Sequence, residues 1–468
     1  MGTVIPMNDI AVTNDIALTE FVAATAAKFD MPGISVGIWV DGREIIANHG
    51  VTSTENPVPV TEHTIFSIGS TSKTFTATAL MRLVAEGKVD LAAPVRTYVP
   101  ELRLLDEEHA AAITVQQVLN HTAGLEWNII NNTGEGEDGL AAFVASLAEL
   151  PLIGKPGERA SYSQAGFNLL GRVIENVTGQ PFEQVIVETV LEPVGLHESF
   201  YFQGDIMTRR FSAGHERQAD GTLEVCRSWK GTRANNPGGG LGTTVSDLLR
   251  WGRFHLGDGR TESGETLLPA ALLHRMQQPT VTLRASALAD AFGLCWMLRD
   301  VDGVRTVGHG GSVFGQFTEF QLVPERNFAI AIVSNASPDG VPANQAILRW
   351  ALEHYLGVVD RDPEPLPFDA DRVAELLGGY EIDAMTATFL VEDGNLFLEC
   401  KVKPEIRAAA PESEIPQDHP PFPVGLLPDD EYIITAGSFQ GQRGFLSRND
   451  RGEIIGLDLA GRLFTRSA

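Results

Sequence analysis

The chain has 468 residues, 43% of them hydrophobic, which is more than one core usually serves and enough apolar material for a large domain and a smaller one. Lys and Arg number 35 against 61 Asp and Glu, and the formal charge of -26 repels phosphate backbones and anionic lipid headgroups. Nucleic acid and membrane surfaces are therefore not expected partners.

The opening stretch MGTVIPMNDIAVTNDIALTE has no basic region followed by a continuous apolar run, so it does not read as a secretory signal. Cytoplasmic residence is expected, unless the chain begins at a mature end. An amphipathic stretch from Asp15 to Phe29 predicts a helix, broken by Met31-Pro32-Gly33. Strands over Ile34–Val40 and Glu44–His49 flank Asp41-Gly42, the dipeptide of a tight hairpin turn. Gly33-Ile34-Ser35-Val36-Gly37 fits the GxSxG pattern of α/β-hydrolases, but that motif needs a strand, a sharp turn and then a helix, whereas Ser35 falls inside a strand. From Ser70 to Gly87 apolar residues recur at helical spacing and end on a C-cap glycine, which puts Ser70 at a helix start. The long middle, Ile113 to Leu196, reads as mostly helical. Its acidic loop, Gly134 to Gly139, reads as a solvated loop. Gly238 to Gly242 lacks the Lys-Ser/Thr of a phosphate loop and reads as a close-packed cleft wall.

Strand signals return at Gly303–Val307, Gln316–Val323 and Phe328–Ser334, followed by a helix from Pro342 to Leu356. The sheet of the large domain, residues 1–359, is thus assembled from both ends of that segment. A charged, proline-bearing linker at 360–367 leads to residues 368–468, where alternating segments around Asp-Gly and Arg-Gly turns predict a small antiparallel β domain. Within it, Pro411 to Pro423 has the composition of a disordered loop. Cys226, Cys295 and Cys400 are odd in number and far apart, so buried free thiols are expected. No histidine pair has helical spacing and no HExxH occurs, so no metal or other cofactor is implied.

Chemistry concentrates first at Ser70-Thr71-Ser72-Lys73. One helical turn separates Ser70 from Lys73, so hydroxyl and ammonium face one cleft within reach of a proton transfer. Serine needs a base. Lysine serves only if desolvation or positive charge depresses its pKa, or if it lowers that of a neighbouring tyrosine instead. The helix N-terminus favours negative charge developing near Ser70. The four-residue pattern alone is common by chance, and two further features give it meaning. Tyr162-Ser163-Gln164 follows Gly154-Lys155-Pro156-Gly157 and leads into a helix, and His309-Gly310-Gly311-Ser312 follows a predicted strand.

With these motifs the chain, from about Leu18 to Leu356, resembles the serine β-lactamase and penicillin-binding-protein superfamily, in its class C β-lactamase-like branch. The stretches ITVQQVLNHTAGL, NPGGGLGTTVSDLLRWGRF and VGHGGSVFGQFTEFQLVPERNFAIAIVSNA look like that family as well, in its order. The resemblance implies an α/β (α+β) fold, an antiparallel sheet flanked by helices with an inserted helical subdomain, and a C-terminal β-barrel-like domain similar to the lipocalin-like appendages of some members. It implies Ser70 as nucleophile, Lys73 and Tyr162 sharing its proton as general base and acid, and His309 on the strand lining the cleft. Backbone N–H groups of Ser70 and Ser312 would form the oxyanion hole, with Gln164, Gly310 and Gly311 at the substrate. Glycines at 310 and 311 would let substrate approach the strand closely.

Two departures bear on substrate. Gln164 stands where the family's YxN has Asn, and His309 stands where KTG has Lys. A fixed cation is thereby exchanged for an imidazole with an unperturbed pKa near ~6.5, which would charge as pH falls. The HxG form resembles esterases, D-aminopeptidase-like amidases and peptide-cyclising thioesterases. The expected function is hydrolysis of an ester or amide, D-amino-acid peptides included, through an acyl-enzyme on Ser70. The alternatives are a penicillin-binding or weak β-lactamase protein that turns over slowly, or a peptide-cyclising acyl transferase. The expected partner is a small-molecule or peptide substrate, and nothing in the sequence specifies an oligomeric state.

Overall fold

In the structure, a computed structural model describing residues 12–13, 15–125, 132–150, 152–218, 220–284, 286–409 and 420–467, nine strands form one sheet between two helical layers. They are β1 (Val12–Thr13), β2 (Gly33–Val40), β3 (Arg43–Gly50), β4 (Val281–Thr282), β5 (Ala291–Phe292), β6 (Met297–Val301), β7 (Val304–Val313), β8 (Gln316–Val323) and β9 (Phe328–Ser334). Their order across the sheet is β1-β3-β2-β9-β8-β7-β6-β5-β4, so the two ends of the large domain meet at the β2–β9 pair.

Both of those strands are buried on both faces, which explains their nearly continuous apolar sequences. Phe328, Ile330 and Ile332 of β9 join Ile34, Val36 and Ile38 of β2 under helices α1 (Ile16–Lys28) and α5 (Gly340–Ala351). Ala329, Ala331 and Val333 face the other layer, where α4 (Val245–Leu256) packs. Small residues belong there because α4 approaches closely: a Cβ on Gly252 would lie 3.0 Å from Ala329, and one on Gly37 would lie 2.7 Å from Leu249. Helices α2 (Lys73–Ala85) and α3 (Gln164–Thr178) complete this second layer. Ser35 lies inside β2 and hydrogen-bonds Asn48, so the hydrolase-elbow pattern is a strand.

The predicted helix at 15–29 is capped by the Asp15 carboxylate, which accepts from the N–H groups of Ala17 and Leu18. The last helix of the large domain starts earlier than Pro342, at Gly340, and its final turn widens to π geometry at Leu352–Leu356. The most consequential difference is at β7. The strand predicted to end at Val307 continues to Val313 and absorbs His309-Gly310-Gly311-Ser312. It pairs with β8 from Val307 to Val313 but with β6 only from Val304 to Gly308, which leaves the edge from His309 onward for a different neighbour.

Residues 357–369 carry no helix or strand, but the segment is held at both ends. Arg349 of α5 pairs with Asp360 and Asp362, Leu366 N–H donates to Leu426 O, and Pro365 packs on Gly425. Beyond it, β10 (Gly378–Glu381), β11 (Met385–Glu392), β12 (Asn395–Val402), β13 (Phe422–Leu426), β14 (Glu431–Ile434), β15 (Arg443–Arg448), β16 (Ile454–Leu459) and β17 (Arg462–Arg466) make a closed antiparallel barrel. Tyr380, Phe389, Leu398, Tyr432, Leu457 and Phe464 fill its interior. The proline-rich segment read as disordered lies largely outside the described residues, and its end, Phe422-Pro423, begins β13.

Cys295 is a buried thiol as expected, but Cys226 and Cys400 are half-exposed. Cys226 follows the outer strand of a small three-stranded sheet, and Cys400 packs against the barrel core without being enclosed by it. Among the described residues no helix is long and apolar enough to cross a membrane.

Candidate active site

Ser70 sits in a 3₁₀ turn, Gly69–Ser72, that leads directly into α2. The turn is fastened on both sides. Thr71 Oγ1 donates to His309 O at 3.2 Å, Ser72 Oγ donates to Gly69 O at 2.7 Å, and Leu241 N–H donates to Ser72 Oγ at 3.1 Å. Gly69 adopts φ 49°, and a Cβ there would lie 2.7 Å from Ser312 N, so the chain just before Ser70 lies against the Ser312 backbone. The turn occupies the edge of β7 that β6 leaves. A Cβ on Gly311 would lie 1.9 Å from Ile68 O, whereas one on Gly310 would meet nothing nearer than 3.6 Å. Gly311 is thus required by packing of the chain on itself, and the expected substrate-approach reason is not needed there.

Lys73 begins α2 and is fully buried. Its Nζ donates to Ser70 Oγ at 3.3 Å, to Gln164 Oε1 at 2.5 Å and to Gly238 O at 2.6 Å, all neutral acceptors. Burial dominates its titration and lowers the pKa from 10.5 to about 7; Cys295 opposes this and Arg462 reinforces it. Gln164 Nε2 donates onward to Asn168, and Asn168 to Asn235. The glycine cluster is a cleft wall, and its reason is visible: a Cβ on Gly238 would lie 1.8 Å from Gln164 Nε2. The missing side chain makes room for the longer amide that stands in place of Asn.

Tyr162 is buried with its ring 4.9 Å below Lys73 Nζ. Burial pushes its phenol well above the usual value, with the Ser70 hydroxyl and Arg462 acting in the opposite direction. Of the two routes to a base open from sequence, the surroundings favour a depressed lysine over an acidified tyrosine. His309 is fully buried, and its Nδ1 lies 2.6 Å from Gly310 O, which makes that nitrogen the protonated one. Burial, then Lys73, lower its pKa to about 3 against the pull of that hydrogen bond. The expected charging of His309 between pH 8 and 5 is therefore corrected: the imidazole is neutral throughout that range.

Sequence reasoning missed two participants. His121, within LNHTAGL, is buried with its ring 4.5 Å from that of Tyr162 and accepts the Ser163 N–H at Nδ1. Its only signal was the polar run Asn120-His121-Thr122 just after the apolar Val118-Leu119. The other comes from the barrel. The β16–β17 turn, Ala460-Gly461-Arg462, reaches the site: Tyr162 N–H donates to Gly461 O at 2.8 Å, Leu463 N–H donates to Ser161 Oγ at 3.4 Å, and the Arg462 guanidinium lies 5.5 Å from the Tyr162 ring centroid. Nothing local in GLDLAGRLF marks an active-site segment. The acidic loop at 134–139 is solvent-exposed for the most part and engages Arg233.

A model of the family described as beta-lactamase matches residues 18–354. Penicillin-binding protein 4 of Amycolatopsis lactamdurans is 32% identical over 368 residues, covering 76% of this chain and 95% of that protein. Among solved structures, SurE superposes over 96% of this chain and 98% of its own, with TM-score 0.73 and 25% identity. The octameric penicillin-binding protein homologue from Pyrococcus abyssi covers 96% and 99%, with TM-score 0.65 and 24% identity. A class C beta-lactamase covers 71% of this chain and 96% of its own, with TM-score 0.59 and 23% identity.

Proposed function

This chain belongs to the beta-lactamase family, within the superfamily of serine hydrolases and penicillin-binding proteins, and we propose that it transfers an acyl group from an ester or amide through Ser70. The observation that carries the reading is Lys73: a buried amine 3.3 Å from Ser70 Oγ, held by neutral acceptors and titrating at about 7. Much of it is unprotonated at neutral pH, as a general base requires.

In the proposed sequence, Ser70 Oγ attacks the carbonyl carbon while its proton passes to Lys73 Nζ, and the new ammonium is received by Gln164 Oε1 and Gly238 O. The oxyanion forms against the N–H groups of Ser70 and Ser312. Tyr162, protonated at neutral pH, gives its proton to the leaving oxygen or nitrogen as its bond to the carbonyl carbon breaks and the C=O re-forms, and is reprotonated from Lys73. Water or an amine then attacks the acyl-enzyme, loses its proton by the reverse route, and Ser70 leaves with its hydrogen restored.

SurE has also been solved with D-Leu, so D-aminoacyl esters and amides are the first substrates to examine. The neutral imidazole at 309 supports a preference for acyl groups without the carboxylate of a penicillin or cephalosporin. The similarity to penicillin-binding protein 4 favours a second reading, acylation by β-lactams with slow release. The test is a panel of D- and L-aminoacyl amides, short-chain aryl esters and a chromogenic cephalosporin, with and without an added amine. Steady turnover of esters or amides beyond that of the cephalosporin supports the first reading. A burst of one equivalent without turnover supports the second.

A further inference from the structure

Gly238 O and Gln164 Oε1, which receive the Lys73 amine, are both tied to one short segment, residues 233–241. It makes two tight turns in succession, Arg233–Asn235 and Asn236–Gly239. Asn235 Oδ1 accepts from Asn168 of α3, the far end of the amide relay that begins at Gln164. Pro237 O accepts from Thr76 Oγ1 of α2 at 2.7 Å, Gly238 O accepts from Lys73 Nζ at 2.6 Å, and Leu241 N–H donates to Ser72 Oγ. A further tie comes from outside the site. Glu183, on a short helix (Phe182–Ile186) packed against α2 and α3, is only 5% exposed. Each of its carboxylate oxygens accepts from the Arg233 guanidinium at 3.1 Å, and Oε1 also accepts from Asn236 Nδ2 at 2.5 Å. A carboxylate so enclosed is tolerable only when paired and hydrogen-bonded, and here one group spans both turns. Asn236 is completely buried and its amide fills the inside of the second turn: a Cβ on Gly240 would lie 2.1 Å from Asn236 Oδ1. Gly238 and Gly240 therefore have separate reasons, the first clearing Gln164 and the second clearing Asn236.

We propose that Glu183 is a positioning residue for the base: by holding Arg233 and Asn236 together it fixes the turn that presents Gly238 O to Lys73 Nζ, and so sets how readily Lys73 takes the Ser70 proton. The proposal rests on the reading of Lys73 as that base. As Lys73 gains a proton, the enclosed ammonium donates to Gly238 O, Gln164 Oε1 and Ser70 Oγ. A hydrogen bond from a charged donor is stronger than one between neutral partners, so an acceptor that drifts costs the protonated form more than the neutral amine. Lys73 then becomes a weaker base, and one less well aligned with Ser70. Glu183 faces Arg233 directly, with Lys230, Tyr201 and Glu175 as further ionisable neighbours. Lys73 is faced by Tyr162, His121, His309, Cys295 and Arg462. Substitutions at Glu183 and Asn236 leave that second group in place and reach Lys73 through the turn.

The test uses the full chain and a neutral alkyl fluorophosphonate, whose reaction with Ser70 needs no knowledge of the substrate. Ser70 labelling is followed from about pH 5.5 to 9.5 in wild type, Asn236→Ala, Glu183→Ala and the double variant, with folding checked by tryptophan fluorescence. Asn236→Ala leaves the Glu183–Arg233 pair intact, and it decides the question even if Glu183→Ala, which strands a buried guanidinium, does not fold. Loss of the link should lower the alkaline plateau about tenfold and move the acidic limb down by roughly one pH unit, so that wild type and variant converge below about pH 6. Glu183→Ala should give the same profile, and the double variant should be little slower than either single, because both act through one turn. A folded Asn236→Ala whose labelling is unchanged, or reduced by one factor at every pH, overturns the proposal, as does a double variant whose losses multiply. If wild type itself is not labelled at Ser70, the hydrolase reading fails instead.

Discussion

Replacing Lys73 with Met makes the cost of burying the base measurable. An unfolded lysine holds its proton to about pH 10.4, whereas in the folded chain Lys73 releases it at about 7. Between those values the unfolded chain binds one proton more than the folded one, so the stability of the wild type rises with pH across that window. Below it, a displacement from 10.5 to about 7 amounts to a cost of ~5 kcal/mol at ~1.4 kcal/mol per unit. Met retains the volume and removes the charge, but strands Gln164 Oε1 and Gly238 O, at ~1–3 kcal/mol each. The two variants should therefore be close in stability near pH 6.5, with the wild type gaining about 3 kcal/mol on Lys73→Met by about pH 9.5. Urea unfolding followed by tryptophan emission reports the right domain, because every tryptophan in the sequence precedes the linker. Curves that stay parallel within about 1 kcal/mol across that range would refute a buried lysine with a depressed pKa.

Ser70→Ala and Lys73→Ala should each lower turnover of one ester by orders of magnitude, and the double variant should be little slower than either, because nucleophile and base act as a unit. Gly238→Ala should displace Gln164 and cost at least about tenfold in kcat/KM; adding Gln164→Asn, which withdraws one methylene, should recover part of it, and no recovery would mean that Gly238 serves something other than the amide. Tyr162→Phe should keep the fold and lose catalysis, and unchanged kcat would remove Tyr162 from the proton path. With His309 neutral from pH 5 to 8, cephalosporin hydrolysis should stay weak relative to a neutral ester at every pH in that range, and His309→Lys should raise the ratio; efficient wild-type cephalosporin hydrolysis at neutral pH would refute this.

Much of the catalytic body is legible locally. Asp41-Gly42 marks its hairpin, with both residues at positive φ, and the one-turn spacing of Ser70 and Lys73 brings the hydroxyl and amine together. The apolar runs of β2 and β9 mark strands covered on both sides. The end of β7 was illegible from local composition, because His309-Gly310-Gly311 has that of a loop, and only the family resemblance placed His309 on a strand; what makes it one is pairing with β8 and the turn carrying Ser70 on its other edge. The His309 pKa was illegible for a similar reason, since it depends on burial by residues distant in sequence. Arg462 is the extreme case. It reaches Tyr162 across 300 residues of chain, and only the docking of a second domain reveals it.

The central claim, a Ser70 nucleophile activated by a neutral Lys73, is tested most directly by trapping the acyl-enzyme. Wild type, Ser70→Ala and Lys73→Ala are mixed with a D-leucyl aryl ester, quenched in acid after short times, and weighed intact, with peptide mapping of any adduct. The account predicts a D-leucyl adduct on the peptide containing Ser70 in wild type, with a formation rate that rises through about pH 7 as Lys73 loses its proton, and no adduct in either variant on the same time scale. An adduct on another residue, or one that forms on Ser70 as fast without Lys73, would contradict it.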